Sequence, residues 1–266
     1  MSEKPVKPPR EYLDPQGSSN KGLLGWYEKM LRKFKSLFLT GTLGLILFFV
    51  VLLLGISLIP SVLIVQNIFA WSEDKNTVFR LFLQGTSIAL AFFAYGFSTL
   101  IVIPLANRFV LPFVRPGRGS YYSISAFGWY LHNILTYMVR YTFIDLITPT
   151  PFSLFFYRSM GMKIGRQAEL NTSNISDPAL ITLEDGVTVG GSATLLAHYA
   201  VGGFLVISPL IIRKNATIGL KAILMGGVEI GEGAKILPNS VVLPKTVVPA
   251  GETWSGVPAK KVEKTS

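Results

Sequence analysis

Only two residues in this chain are suited to proton transfer near neutral pH, the histidines His132 and His198. An unperturbed imidazole has a pKa of about 6.5, so it can take up and release a proton under physiological conditions. The chain contains no cysteine, which excludes thiolate catalysis and disulfide bonds. Two histidines in separate halves of the chain also argue against a multi-histidine metal site. Of the two, His198 stands where the surrounding sequence pattern changes.

The C-terminal half follows a six-residue period. A large apolar residue occupies every sixth position from Ile212 to Trp254. Four residues after each of the first six stands a small or β-branched residue, beginning with Ala216. This pattern is typical of a solenoid of short parallel strands, in which one apolar side chain per strand points into the coil. The period continues upstream from Leu183 to Leu195, and a less regular coil begins near Ile164.

The period breaks once, between Leu195 and Ile212, which are 17 residues apart. Because 17 is not a multiple of six, the segment from Tyr199 to about Pro209 is predicted to leave the coil as a loop, with His198 at its start. This loop is more apolar than a solvated loop should be. We expect it to line an acyl or acceptor channel, or to dock on a neighbouring subunit or the membrane. In the simpler interpretation, His198 is a polar corner residue that only anchors the loop.

The repeat and the tail Gly-Val-Pro-Ala-Lys at Gly256–Lys260 resemble the hexapeptide-repeat acyltransferases. The resemblance covers residues 160–262 and implies an all-β left-handed parallel β-helix. It also implies acyl-coenzyme A as co-substrate, no metal, and a homo-oligomer, specifically a trimer with donor sites at subunit interfaces. In that family a histidine before an extruded loop is the general base that takes a proton from the attacking amine or hydroxyl, which gives this role to His198.

A catalytic histidine also needs a partner that orients its ring. Asp185 and Glu184 are predicted for this role, and Asn171 and Asn174 are alternatives on preceding coils. No spacing selects one of the four. Taken by itself, each fits a solvated residue at a corner of the coil better than a partner of His198.

Coenzyme A would need basic residues for its phosphates. The segment from Ile212 to Ser266 contains eight lysine and arginine residues and four glutamates. This surplus of positive charge fits a polyanionic ligand. The pair Lys260 and Lys261 matches the basic tail of the resembling family, and Trp254 could stack on the adenine. The predicted donor site therefore consists of Trp254, Lys221, Lys260, Lys261 and Gly256. The alternative is that these lysines only solubilise the solenoid and that Trp254 belongs to its core.

The N-terminal half predicts a membrane hairpin over residues 41–111. Residues 41–65 and 81–103 carry no charge, and each run exceeds the roughly 20 residues that cross a bilayer. Basic residues precede the first run and follow the second, so the positive-inside rule places both ends in the cytoplasm. The predicted location is the bacterial inner membrane, with the β-helix domain facing the cytoplasm.

The remaining segments are assigned by composition. Residues 1–20 are predicted to be a disordered tail, 21–40 a basic amphipathic juxtamembrane segment, and 263–266 a short tail. Residues 112–159 are rich in aromatic residues and are predicted to be an interfacial helical linker.

The linker carries one polar stripe, formed by His132, Asn133, Thr136 and Arg140. Such a stripe fits a helix in the headgroup layer, where it would serve as a simple anchor. In a sharper hypothesis, four residues surround the headgroup of a membrane-held acceptor: His132, Arg140, Asp145 and Arg158.

These patterns together predict a membrane α-helical hairpin plus an interfacial helix, followed by the all-β left-handed parallel β-helix domain. The net charge of +10 is explained by an anionic membrane and a phosphate-bearing co-substrate, and no motif indicates nucleic-acid binding. The order of spans and coil, the Ala-His-Tyr sequence before the loop and the tail around Trp254 most resemble the membrane-embedded hexapeptide domains at the end of poly-lysine synthetase-like peptide synthetases. Since this chain has no adenylation or carrier domain, its donor is expected to come from outside, as acyl-coenzyme A or on an acyl-carrier protein.

The predicted function is that of a membrane-bound acyltransferase. It moves an acyl group, such as acetyl, to an amine or hydroxyl of a lipid-like, lipid-linked or membrane-proximal acceptor. Two alternatives remain open. One is a peptide-bond-forming condensation module that uses aminoacyl thioesters, and the other is a non-catalytic β-helix scaffold.

Overall fold

The computed structural model describes residues 21–121 and 123–263. The predicted tail of residues 1–20 and the last three residues of the predicted C-terminal tail lie outside the described residues.

Helices dominate the N-terminal half. The α-helices of the described residues are α1 (Gly22–Lys33), α2 (Lys35–Ser72), α3 (Thr77–Asn107), α4 (Ile124–Val139), α5 (Asp145–Ile147) and α6 (Pro151–Ser159). A π-helical segment, Arg140–Ile144, joins α4 to α5 without a break.

The two long helices α2 and α3 pack against each other as a hairpin. Both begin before the predicted uncharged runs and end after them, and Asn76 caps α3 by accepting a hydrogen bond from the backbone of Phe79 at 3.0 Å. Both helices are long and apolar enough to cross a membrane, and most of their side chains are not buried within the chain. Where α3 does pack, Gly96 lies against the ring of buried Phe143, so that a side chain at this glycine would overlap the ring.

The C-terminal half consists of short strands, and one further strand, β1 (Gly117–Ser120), precedes α4. The first group is β2 (Lys163–Ile164), β3 (Glu169–Leu170), β4 (Ile175–Ser176), β5 (Ile181–Leu183), β6 (Thr188–Val189), β7 (Thr194–Leu196), β8 (His198–Val201) and β9 (Phe204–Ile207). The second group is β10 (Leu210–Ile212), β11 (Thr217–Ile218), β12 (Ile223–Leu224), β13 (Glu229–Ile230), β14 (Lys235–Ile236), β15 (Val241–Val242), β16 (Val247–Val248), β17 (Thr253–Gly256) and β18 (Ala259–Lys261).

Three sheets form the faces of a parallel β-helix. The first face has the strand order β16-β13-β10-β5-β2, the second β18-β17-β14-β11-β6-β3, and the third β15-β12-β7-β4. All pairs within these faces are parallel except the last one, β17 with β18. The chain visits the faces in turn, so each coil has a first, a second and a third corner, named after the face that precedes it. The left-handed winding that the resemblance implies stays a prediction.

The six-residue period is confirmed as the core of this β-helix. Seven of the eight apolar positions, from Ile212 to Val248, are at most 1% exposed, and Trp254 is partly buried at the end of the core. The small residues of the second register, from Ala216 to Ser240, are fully buried. They lie at the corners, where a narrow interior packed at close to crystal density has no room for larger side chains.

The predicted excursion between Leu195 and Ile212 is confirmed, but it is not an irregular loop. Strands β8 and β9 form an antiparallel hairpin, and β9 also pairs with β1. The apolar residues Leu205 and Ile207 of β9 pack on Ala126 and Trp129 of α4. Docking within the same chain therefore explains much of the apolar character of this segment.

The predicted headgroup site in the linker does not form. His132, Asn133 and Thr136 are at most 5% exposed, because this side of α4 faces the β-helix. Nε of Arg140 lies 3.8 Å from Oδ1 of Asp145, and the guanidinium also donates to the side chain of Asn174 on the first coil. The fourth predicted residue is elsewhere, since Arg158 donates to backbone carbonyls of the first coil. The hypothesis that the four residues surround one headgroup is wrong, because His132 is buried against Asn107 and Ala179, and Arg158 contacts another part of the first coil.

Candidate active site

His198 is the first residue of β8 and lies at the third corner of the second coil. Its side chain is 23% exposed, and its Nδ1 atom lies 2.6 Å from Oδ2 of Asp177. Asp177 occupies the third corner of the first coil, directly after β4. The two residues are therefore stacked at one corner, one coil apart.

The carboxylate of Asp177 is fully buried and accepts four hydrogen bonds. Oδ1 accepts from Nε1 of Trp129 at 2.5 Å and from Nδ2 of Asn133 at 2.6 Å. Oδ2 accepts from the backbone of Ala197 at 3.0 Å and from His198. The indole, amide and backbone N–H groups can only donate, and an ionised carboxylate can only accept, so we infer that Nδ1 of His198 carries a proton and donates it to Oδ2. A buried carboxylate is tolerated at this corner because its lone pairs are satisfied.

The pair with Asp177 determines which nitrogen of His198 can act as a base. Because Nδ1–H donates to the carboxylate, the neutral ring carries its free lone pair on Nε2. Within the described residues, no group hydrogen-bonds to Nε2. The ring is held from the side by the indole of Trp129, with the ring centroids 4.9 Å apart and an interplanar angle of 71°. This arrangement can take a proton at Nε2 while the carboxylate stabilises the resulting charge.

The other histidine does not share this role. His132 is fully buried, its Nδ1 lies 2.8 Å from Oδ1 of Asn107 at the end of α3, and its Nε2 faces the backbone N–H of Ala179 at 3.5 Å. Burial lowers the pKa of His132 to about 4, although the negative charge of Asp177 acts in the opposite direction. A histidine of this kind is neutral and structural near pH 7. Among the described residues, no group of three or more histidines and carboxylates is arranged to hold a metal ion.

The predicted orienting partners of His198 lie at the wrong corner. Glu184 and Asp185 follow β5 and belong to the first corner, where each has other partners. Glu184 accepts from Arg213 at 2.9 Å, and Asp185 accepts from the backbone of Arg166 at 2.7 Å. Neither contacts His198. The alternatives Asn171 and Asn174 lie at the second corner, so the position predicted for the partner was wrong in each case.

Sequence reasoning missed Asp177 because the first coil is irregular. Strand β4 pairs Ile175 with Leu195, 20 residues later, whereas a regular coil of three six-residue units spans 18. Asp177 has a left-handed backbone with φ of 61°, and the 3-10 turn Pro178–Leu180 follows it. The period still contained a usable signal: a partner for His198 should stand about one full coil earlier, whereas Glu184 and Asp185 stand only 14 and 13 residues earlier.

The predicted donor-site residues lie at a different corner from His198. Lys221 and Gly256 belong to the second corner, where the backbone of Gly256 donates to the hydroxyl of Ser240 at 3.2 Å. Lys260 is exposed on β18, opposite Ser255. No hydrogen bond or ring contact joins these residues to His198 within the described part of the chain.

Two of the predicted donor-site residues are held by one carboxylate. Glu252 accepts from Lys261 at 2.5 Å and from Nε1 of Trp254 at 2.9 Å. The hydrogen bond from Lys261 and that from the indole hold the pKa of Glu252 below its usual value. Trp254 thus packs at the end of the core, as its place in the six-residue register allowed, and its stacking on the adenine stays a prediction.

Comparison with known proteins relates both halves of the chain to other proteins. No family model matches. Delta-poly-L-ornithine synthetase of Acinetobacter baumannii is 26% identical over 210 residues, which cover 76% of this chain and 16% of that protein. A serine acetyltransferase of Buchnera aphidicola is 38% identical over 90 residues, 32% of each protein. The chain thus spans less than a third of the length of both curated relatives.

A solved structure also matches part of the chain. A maltose O-acetyltransferase from Clostridium difficile matches 58% of this chain and 95% of its own, with a TM-score of 0.44 and 16% sequence identity.

Proposed function

Because the chain belongs to the hexapeptide-repeat acyltransferases, we propose that it transfers an acyl group from acyl-coenzyme A to an amine or hydroxyl, with His198 as general base. The observation that carries this proposal is the pair formed by His198 and Asp177. The pair fixes Nδ1–H on the buried carboxylate and leaves Nε2 to accept a proton. Imidazole is suited to this step because its pKa lies near the working pH.

The proposed reaction is a direct transfer. Nε2 of His198 takes the proton of the acceptor N–H or O–H group as the lone pair of that atom attacks the thioester carbonyl. The tetrahedral intermediate then expels the thiolate of coenzyme A, and the proton on Nε2 passes to this leaving group. Asp177 stabilises the imidazolium between the two steps, as the carboxylate does in a catalytic triad. No covalent enzyme intermediate is needed.

We place the donor at the second corner, along Lys221, Gly256 and Lys260. The proposal is supported by the exposure of both lysines and by the positive charge of this part of the chain. Since no contact joins this corner to His198 within one chain, a donor held there is expected to react at His198 of a neighbouring subunit. That arrangement fits the trimer that the resemblance implies.

We further propose that the acceptor is lipid-like, lipid-linked or held near the membrane surface. Helices α2 and α3 are long and apolar enough to span a bilayer, and α3 ends at Asn107. The side chain of Asn107 contacts His132 of α4, and His132 faces the turn that follows Asp177. The site therefore lies next to the end of a candidate membrane span. The proposed location is the inner membrane, with the repeat domain in the cytoplasm.

One observation favours a second candidate, the peptide-bond-forming condensation module. The similarity to delta-poly-L-ornithine synthetase extends over 210 residues, about twice the length of the repeat domain, so it includes much of the helical half. A condensation module would use the same His198–Asp177 pair with an aminoacyl thioester as donor. The two candidates differ in the donor they accept.

The test is thiol release by the purified full-length protein in native lipid extract. Acetyl-coenzyme A, a longer acyl-coenzyme A and an aminoacyl thioester are each supplied, and free thiol is measured. The chain has no cysteine, so the protein contributes no thiol background. We expect release with an acyl-coenzyme A, and His198→Ala should lower the rate about a hundredfold or more.

The matched control is Glu184→Gln, which changes a carboxylate at another corner and should leave the rate near that of the wild type. Release only from the aminoacyl thioester would favour the condensation module. Measurable and equal release by the wild type and His198→Ala would remove His198 as the base. No release by the wild type with any donor would favour the non-catalytic scaffold.

A further inference from the structure

The site is completed by a helix from outside the repeat domain. Of the four hydrogen bonds to Asp177, two come from the coil itself, through Ala197 and His198. The other two come from Trp129 and Asn133, which stand one helical turn apart on α4 and 48 and 44 residues before Asp177. The same carboxylate is therefore shared between the repeat domain and the helical segment.

We propose that Trp129 and Asn133 are positioning residues that fix the carboxylate of Asp177 and, through it, the imidazole of His198. This inference rests on the proposed function, in which His198 is the base. Neither residue is a catalytic residue, because neither is assigned a contact with the reacting atoms. Their contribution is to the geometry and charge of the carboxylate.

The contacts of Asn133 show how firmly α4 is tied to this corner. Its Nδ2 donates to Oδ1 of Asp177 and to the carbonyl of Trp129, and its Oδ1 accepts from the backbone N–H of Asp177 at 3.1 Å. One amide thus binds both the side chain and the backbone of Asp177. This pairing holds a left-handed residue in place, where a non-glycine side chain would otherwise be disfavoured.

Trp129 acts on the pair in two ways. Its Nε1–H donates to Asp177, and its ring packs edge-to-face on His198 at 4.9 Å. The indole therefore contacts both members of the pair. A phenylalanine at this position would retain most of the ring contact and lose only the N–H donor, which separates the two effects.

Losing one hydrogen-bond donor to Asp177 should change the charge interaction between Asp177 and His198 in one direction. With one hydrogen bond fewer, the negative charge of Asp177 is less dispersed and attracts the imidazolium of His198 more strongly, so the pKa of His198 should rise. Among the described residues, His132 and Tyr137 on α4 are titratable groups that also interact with the charge of Asp177. The low pKa of His132 keeps it neutral over the range in which an ordinary imidazole titrates. At the same time the carboxylate gains rotational freedom, so the rate should fall.

The experiment follows the imidazole signals of the full-length protein by NMR, with isotope-labelled histidine, in detergent or lipid nanodiscs. The chain has only two histidines, so His132→Gln and His198→Ala assign both signals. Trp129→Phe and Asn133→Ala are compared with the wild type. We expect a higher pKa for His198 in both variants. The acidic limb of the pH–rate profile should move in the same direction, and kcat should fall about tenfold with little change in KM for the donor.

The matched control is Thr136→Val, which removes a buried hydroxyl from the same face of α4. Among the described residues, this hydroxyl hydrogen-bonds to the carbonyl of His132 and to no other group. This variant should keep the wild-type pKa of His198 and the wild-type kcat. A His198 pKa and a kcat that stay at the wild-type values in Trp129→Phe and Asn133→Ala would overturn the inference. The NMR titration does not depend on turnover, so it decides the positioning role even if no acyl donor is accepted.

Discussion

At the residue scale, this protein places a charged group where it has no access to water. Asp177 is fully buried, and its cost of desolvation is offset by four donors, one of which is the adjacent imidazole of His198. Each of these groups has a fixed direction, which limits the carboxylate to one orientation. A buried, fully bonded carboxylate is well suited to hold one tautomer of a histidine. The residue-scale predictions therefore concern Asp177 and its surroundings.

Replacing Asp177 with asparagine should impair proton transfer by His198, while a side chain of similar size still fills the buried position. An amide in this position presents either an N–H group or a neutral oxygen to Nδ1, so it no longer stabilises an imidazolium and can favour the wrong tautomer. We expect kcat for thiol release to fall by about a hundredfold or more. The control is Asp185→Asn, which should act like the wild type because Asp185 bonds to Arg166 at another corner. The reverse pattern would support the sequence-based choice of Asp185.

His132 predicts how stability depends on pH. Burial lowers its pKa from 6.5 to about 4 in the folded chain, so between these values the unfolded chain binds more protons. The contribution of neutral His132 to the free energy of unfolding is therefore fully present above about pH 6.5. It is lost as the pH falls through 4, and the total loss is roughly 3 kcal/mol. The melting temperature of the wild type should decrease over this range more than that of His132→Gln. Parallel curves for the two proteins would contradict this assignment.

At the element scale, adjacent coils approach each other so closely at two glycines in the corners that a Cβ atom there would overlap the backbone of the next coil. A Cβ atom at Gly226 would lie 2.8 Å from the backbone nitrogen of His198, and one at Gly219 would lie 2.5 Å from that of Pro238. The two glycines occupy the third and second corners of the same coil. They have similar packing, but of the two only Gly226 lies against the backbone of His198, the candidate base.

Alanine substitutions at these two corners should separate stability from activity. Both Gly226→Ala and Gly219→Ala overpack a corner and should cost about 1–3 kcal/mol of folding free energy. Only Gly226→Ala should also lower kcat at a temperature where both variants are folded, because the added methyl group displaces the backbone of His198. Chemical unfolding and thiol-release assays measure the two effects. Equal activity losses in both variants would show that the effect is general destabilisation.

At the scale of the whole molecule, the helical half and the β-helix meet at the candidate site. The hairpin α2–α3 exposes apolar side chains along its length, as expected of a bilayer-spanning hairpin. The end of α3 connects through Asn107 and His132 to α4, and α4 contacts Asp177. The two halves are therefore coupled through a buried polar network. The trimer stays a prediction, because it rests on the resemblance.

The membrane topology can be tested directly, because single cysteines can be added to a chain that has none. Asp74 lies in the turn between α2 and α3, and Lys235 is exposed on β14. We expect Asp74→Cys to react with a membrane-impermeant maleimide in intact cells, and Lys235→Cys to react only after lysis, since the positive-inside rule places the repeat domain in the cytoplasm. Labelling of both positions from the same side would contradict the hairpin.

The sequence by itself determined the parts of this protein that depend on local spacing. The six-residue period specified the core of the β-helix, since each apolar residue from Ile212 to Val248 enters the interior through its own short strand. The uncharged runs specified the two long helices, and the break in the period located the excursion at His198. These features could be predicted because each depends on the type and spacing of residues within one continuous segment of the chain.

The tertiary structure alone decided what surrounds the candidate base. Asp177 meets His198 because an irregular first coil shifts the register, and the carboxylate is completed by two residues of α4 that stand more than 40 positions earlier in the chain. The polar stripe of α4 could be recognised in the sequence, but the surface it faces could not. A helix with one polar side fits a headgroup layer or a buried polar corner equally well, and only the packing of α4 against the coil distinguishes the two.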